Sequence, residues 1–171
     1  KSGTTVQRRQ FLQATGAGAL AMGVWSEVPA QESTSPNEKL KVLCVGTANR
    51  AAADIDGVQS QDIVGLCDID QNYLDRASKR FPDARLYKDY REMIEKEDLD
   101  AVTVSTPDHT HFHASMTAMK KGLHVYCQKP LTWSIGEARM MREVAEENGV
   151  VTQMGNQGTS ENGLREAVEV I

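Results

Sequence analysis

Two short stretches of this sequence carry residue types whose spacing could hold a phosphate-bearing ligand. The first is Val45-Gly46-Thr47-Ala48-Asn49-Arg50-Ala51, which follows the apolar run Leu40 to Gly46. A turn of this kind between a strand and a helix aims backbone N–H groups, and the positive end of the helix dipole, at an anion. The dinucleotide fingerprint G-x-G-x-x-G/A reads here as Gly46, Ala48 and Ala51. Gly46 permits the tight turn. Ala48 adds one methyl where the backbone must approach a pyrophosphate, and Ala51 suits close packing of helix on strand. Thr47, Asn49 and Arg50 complete the loop. With one glycine of the signature retained, the motif needs support from elsewhere.

Asp68 supplies it. It ends the second strand-like run, Ser60 to Asp68. A carboxylate there accepts hydrogen bonds from an adenosine ribose and repels a 2′-phosphate. Ile69, not arginine, follows it, so NAD is expected in preference to NADP. The competing reading is that Asp68 only caps the next helix. Asp54 and Asp56, in "DIDG", lack the later ligands of a calcium loop and read as solvated.

Other reactive types give weaker signals. Cys44, Cys67 and Cys127 are odd in number and far apart, with no C-x-x-C. Each lies among strand-like apolar residues, as a small buried hydrophobe would. His109, His111 and His113 alternate, which in an extended segment would set them on one side as zinc ligands need, but no metal is expected. Met140 and Met141 read as packing residues.

The elements that must position these groups alternate in type. Strand-like runs occur at Leu40–Gly46, Ser60–Asp68, Asp100–Thr106, Leu123–Gln128 and Val150–Asn156, with a short strand at Arg85–Tyr87. Helical patterns lie at about Asp70–Arg80, Asp89–Glu97, His111–Lys121 and Ser134–Asn148, and another begins at Glu161. Two-sided apolar strands separated by helices predict an α/β protein with a doubly wound parallel sheet, the Rossmann arrangement. Gly122 and Gly149 stand where helices end before strands and suit left-handed caps.

Residues 1–30 read differently. Arg8 and Arg9 precede a short, weakly apolar run containing Gly16, Gly18 and Gly23, then Val28-Pro29-Ala30. A basic start, apolar middle and small-residue exit make an export signal of the twin-arginine type, and the run is too short to span a membrane. The alternative is an amphipathic helix. Residues 31–38 read as a polar linker, 39–160 as the Rossmann domain, and 161–171 as the start of a connection to a further domain. The expected location is periplasmic or otherwise exported, with the twin-arginine export machinery as a partner. The net charge of −5 and an aromatic content of 5% argue against nucleic acid, which favours a basic face and stacking platforms.

Three further stretches, Val104–Phe112 ("VSTPDHTHF"), Gly122–Leu131 ("GLHVYCQKPL") and Val150–Gly158 ("VVTQMGNQG"), join "VGTANRA" and "LCDID" in a fixed order. Together they resemble the glucose-fructose oxidoreductase / inositol dehydrogenase / rhizopine-catabolism (Gfo/Idh/MocA) family, from about residue 40 to 171. The resemblance implies an NAD-binding Rossmann domain followed by a second α/β domain, which carries a catalytic histidine, substrate contacts and the interfaces of a homo-oligomer. The family's Glu-Lys-Pro appears here as Gln128-Lys129-Pro130. Lys129 matches the lysine beside the nicotinamide and the substrate hydroxyl. In a partly desolvated pocket such a lysine orients or exchanges the hydroxyl proton. Gln128 can bond a ribose hydroxyl but carries no charge, and Pro130 holds the turn in a fixed form. Thr106 and Pro107 match the turn beneath the nicotinamide half, and His111 the histidine of T-P-x-x-x-H. Asn156 and Gln157 end the last strand, where a substrate or ribose could be met.

The activity this implies is hydride transfer between a secondary alcohol of a sugar or polyol and NAD. Two alternatives stand beside it. One is a glycoside hydrolase or lyase that runs an internal redox cycle on one bound NAD. The other is a non-catalytic nucleotide-binding protein. A folded-export route fits a domain that must close around its cofactor before it travels.

Overall fold

In the computed structural model, residues 38–171 are described. The expected signal at 1–30, and all of the expected linker but its last residue, lie outside them. The described residues form six strands: β1 Lys41–Val45, β2 Asp62–Cys67, β3 Arg85–Tyr87, β4 Ala101–Val104, β5 His124–Gln128 and β6 Thr152–Gly155. The helices are α1 Arg50–Val58, α2 Gln71–Ser78, α3 Tyr90–Lys96, α4 Asp108–Lys120, α5 Ile135–Asn148, α6 Gln157–Ser160 and α7 Asn162–Val170.

The strands lie in the order β3-β2-β1-β4-β5-β6, and every neighbouring pair is parallel. This is the doubly wound sheet that the alternation of patterns predicts. The chain winds outward from β1 to β3, then returns to lay β4 against the other side of β1. The order therefore reverses between β1 and β4, and a crevice opens there beyond the carboxyl ends of the strands.

Side-chain alternation along β1 divides the interior in two. Val42 and Cys44 face one layer, with Ile55 of α1 and Leu74 and Ala77 of α2. Leu43 and Val45 face the other, with Met93 and Ile94 of α3, Ala118 and Met119 of α4, and Met141 of α5. Burying each large side chain of this kind contributes about 1.5–3 kcal/mol before chain entropy is charged against it.

Local signals set the helix ends. Asp70 and Asp89 cap α2 and α3, accepting from the backbone N–H of Asn72 and Arg91 at 2.8 and 2.9 Å. Ser134 and Glu137 form a reciprocal capping box at α5. Gly122 and Gly149 take the expected positive φ, +80° and +63°.

Two differences from expectation bear on the site. Helix α4 begins at Asp108, ahead of His111, because Pro107 has φ −57° and leads into a first helical turn with Asp108 in it. The four-residue α6 was not expected, and its start at Gln157 leaves a break before α7. No described helix is long and apolar enough to cross a membrane.

Candidate dinucleotide site

The crevice at the switch point is a cleft of about 700 Å³. Its floor is the turn from Val45 to Asn49. One wall is Asp68 to Asp70 with Tyr73, Lys88 and Arg91, and the other is Ser105 to Pro107 with His109 and Thr110.

Gly46 leaves β1 with φ +91°, a conformation that side chains strain to adopt. Its amide donates to the Cys67 carbonyl at 2.8 Å. A Cβ at this position would stand 2.5 Å from the Ser105 carbonyl oxygen, so the close approach of β1 and β4 admits hydrogen and nothing larger. Ala51, 1% exposed, packs beneath. Asn49 has φ +53° and places no side-chain oxygen over the start of α1. With Ala48 and Asn49 lining the cleft, the positive end of α1 opens on it. Of the three fingerprint positions, Gly46 is the one where a Cβ would clash with the Ser105 carbonyl, and it is the one that is glycine here.

Asp68 is fixed toward the same loop. Its Oδ2 accepts from the Thr47 backbone N–H at 2.9 Å and from Thr47 Oγ1 at 3.0 Å, and its Oδ1 accepts from the Asp70 N–H at 3.1 Å. Asp70, not Asp68, caps α2. The carboxylate thus bridges the ends of β1 and β2, with three of its about four acceptor positions occupied. Ile69 beside it is 88% exposed. Lys88 Nζ donates to the Ile69 carbonyl at 3.0 Å, and Arg91 is held by Asp89. Lys88, Arg91 and Tyr73 are cleft residues that sequence reasoning missed. They come from neighbouring segments that no local motif ties to Asp68.

On the opposite wall Thr106 and Pro107 line the cleft as expected, and Thr110 Oγ1 bonds Thr106 Oγ1 at 2.7 Å. His111 does not line it. It is 1% exposed, with Nδ1 at 2.8 Å from the Pro130 carbonyl and Nε2 at 2.7 Å from the Thr106 carbonyl. A neutral ring has one N–H and can donate to only one of them; the doubly protonated ring donates to both. His111 is thus a brace between the β4 turn and the Pro130 turn. His109 and His113 are exposed and diverge from it along α4.

Gln128, Lys129 and Pro130 follow β5, one strand further out. The Lys129–Pro130 bond is cis. Lys129 is exposed, and the enclosure expected around its ammonium is not built by the described residues. Gln128 is 4% exposed, and its Oε1 accepts from the Lys129 N–H at 3.2 Å. Asn156 is exposed at the end of β6. Gln157 Nε2 donates to the Tyr126 hydroxyl at 2.9 Å, which ties α6 to β5.

A further expectation is overturned. Asp54 is not solvated: it is 7% exposed and accepts from Gln128 Nε2 at 2.9 and 3.0 Å, Ser105 Oγ at 2.7 Å and Arg50 at 3.1 Å. Its place on the inward helical stripe with Ala51 and Ile55 was a signal that could have found it. Asp56, by contrast, is half-exposed and pairs with Arg80.

The thiols are inert packing groups. Burial pushes Cys44 and Cys127 up to about 11 and Cys67 up to about 12.

A parallel doubly wound sheet, a helix start opening on its switch-point cleft and a carboxylate at the end of the second strand define a dinucleotide-binding domain. The comparisons agree in detail: the family model described as an oxidoreductase family with an NAD-binding Rossmann fold matches residues 40–156, and the chain belongs to that family. Among curated relatives it is 37% identical over 97 residues to a D-apiose dehydrogenase of Paraburkholderia graminis, covering 57% of this chain and 25% of that protein. It is 31% identical over 140 residues to a glycosyl hydrolase family 109 protein of Solibacter usitatus, covering 74% and 32%. Among solved structures, myo-inositol 2-dehydrogenase from Lactobacillus plantarum superposes with a TM-score of 0.72 at 25% identity, over 78% of this chain and 41% of that one. The chain therefore spans about a quarter to a third of the length of these curated relatives.

Proposed function

We propose that the protein moves a hydride between a secondary alcohol of a sugar or polyol and NAD. The observation that carries this is the clasp formed by Gly46, the start of α1 and the anchored Asp68, on a chain whose family is oxidoreductase. Bound NAD would supply the hydride acceptor. The residues after Gly46 would hold its phosphates, Asp68 its adenosine ribose, and Thr106 and Pro107 would flank its far half. Lys129 would orient the substrate hydroxyl and exchange its proton. A further domain would complete the substrate pocket and carry homo-oligomer contacts. The reading also places the protein outside the cytoplasm, folded around its cofactor before twin-arginine transport.

The test is nucleotide content and hydride transfer by the intact exported protein. The expected result is stoichiometric NAD or NADH after gentle isolation. Lys129→Ala should lower kcat by about 100-fold or more while nucleotide affinity changes far less. Equal loss of both would remove the role given to Lys129.

The likeness to a glycosyl hydrolase family 109 protein favours a second reading, in which the sugar is oxidised and re-reduced within one turnover while bound NAD is reduced to NADH and then re-oxidised. A glycoside cleaved without net accumulation of NADH would select it.

A further inference from the structure

We infer that Asp54 is a positioning residue for the reacting end of this site, acting through the side-chain amide of Gln128 on the backbone of Lys129. For its activity readout the inference rests on the hydride-transfer reading; for its structural readout it does not.

A buried carboxylate is costly unless its oxygens are satisfied. The Asp54 side chain is 3% exposed, and three elements converge on it: Arg50 from α1, Ser105 from the end of β4 and Gln128 from the end of β5. Both of its oxygens lie within 3.0 Å of Gln128 Nε2. Turning the Gln128 amide over would set Oε1 against two carboxylate oxygens, three acceptors with no proton among them. Asp54 therefore dictates which way the amide faces. Oε1 is left pointing outward, where it accepts the Lys129 N–H at 3.2 Å.

The slot around this amide is narrow. A Cβ on Gly155 of β6 would stand 2.7 Å from both Gln128 Nε2 and the Tyr126 hydroxyl. The other titratable or charged groups facing Asp54 are Arg50 on α1 and Cys44 on β1, with Tyr126 on β5 reached through Gln128. Asp54 sits on the same helix whose start opens on the cleft. It thus links the phosphate end of the site to the lysine by two side-chain contacts.

The test uses the intact protein as wild type, Asp54→Asn, Gln128→Glu and the double variant. The readouts are amide hydrogen exchange at Lys129, and kcat and KM from about pH 6 to about pH 9. Asp54→Asn should speed Lys129 exchange by about tenfold or more and lower kcat about 10- to 100-fold, with a smaller change in KM for NAD. Gln128→Glu faces two carboxylates, one of which must keep a proton. Its kcat should lose activity on the alkaline side where the wild type does not. The double variant restores one amide and one carboxylate in exchanged positions. Exchange protection and the pH profile should both return toward wild type.

Unchanged Lys129 exchange in Asp54→Asn overturns the inference, as does a double variant as impaired as the two single changes summed. If Asp54→Asn fails to fold, Gln128→Glu and the double variant still decide. A wild-type protein that binds no nucleotide would sink the hydride-transfer reading, and the exchange measurement would then judge Asp54 on its own.

Discussion

Under the proposed function, Asp68 would be one carboxylate serving structure and ligand together. Three donors hold it before any ribose arrives, so little entropy is spent in aiming it. Asp68→Asn loses the charge that strengthens each of these bonds. NAD affinity should fall about 10- to 100-fold, equivalent to about 1.4–2.8 kcal/mol, read by titration of NADH fluorescence. His111, expected at the cofactor, is a buried ring set between the Thr106 and Pro130 carbonyls. His111→Ala would remove a buried ring that bonds the Thr106 and Pro130 turns and open a void. Denaturant titration should show a loss of about 2–4 kcal/mol. Sequence spacing could match His111 to a position but could not tell which way its ring turns. Asp54 was misread because acidic residues are rarely buried unless paired, and its main partner lies 74 residues away.

At the scale of elements, the capping signals and strand patterns were legible because each is local. Asp70, Asp89, Ser134 and Gly149 mark ends that the chain decides within a turn. What was not legible depends on side chains that meet from separate elements. The short β3, expected at Arg85–Tyr87, is secured by such a contact. Arg85 and Tyr87 both reach Glu97, just beyond α3, with the Tyr87 hydroxyl donating at 2.9 Å. The hydrogen bond from Arg85, then that from Tyr87, holds the Glu97 carboxyl below its ordinary value of 4.5. A depressed carboxylate contributes stability that is full above the unfolded value and disappears as pH falls through the folded one. Glu97→Gln should therefore lower the melting temperature near neutral pH. The gap to wild type should close as the solution is acidified below 4.5, as thermal melts across that range would show.

For the whole molecule, the parallel order followed from alternation of patterns, because buried parallel strands have no polar face to show. The three thiols report on the integrity of that sheet. Cys44, Cys67 and Cys127 sit in β1, β2 and β5, all buried. With thiolate formation pushed up to about 11 or 12, the native protein should resist a disulfide reagent at neutral pH. All three should react once denaturant is added. Rapid modification of the native state would mean that the sheet opens far more readily than its packing suggests.

The strand order has one last implication. β1 and β4 form the single seam between the β1–β3 half of the sheet and the β4–β6 half. A dinucleotide lying across the switch point would touch Asp68 on one side and Thr106 on the other. It would act as a rivet across flanks whose strands meet along one ladder. A molecule that lost its nucleotide far from any resupply would lose that fastening too, and the seam would be the first place for a protease to find it ajar.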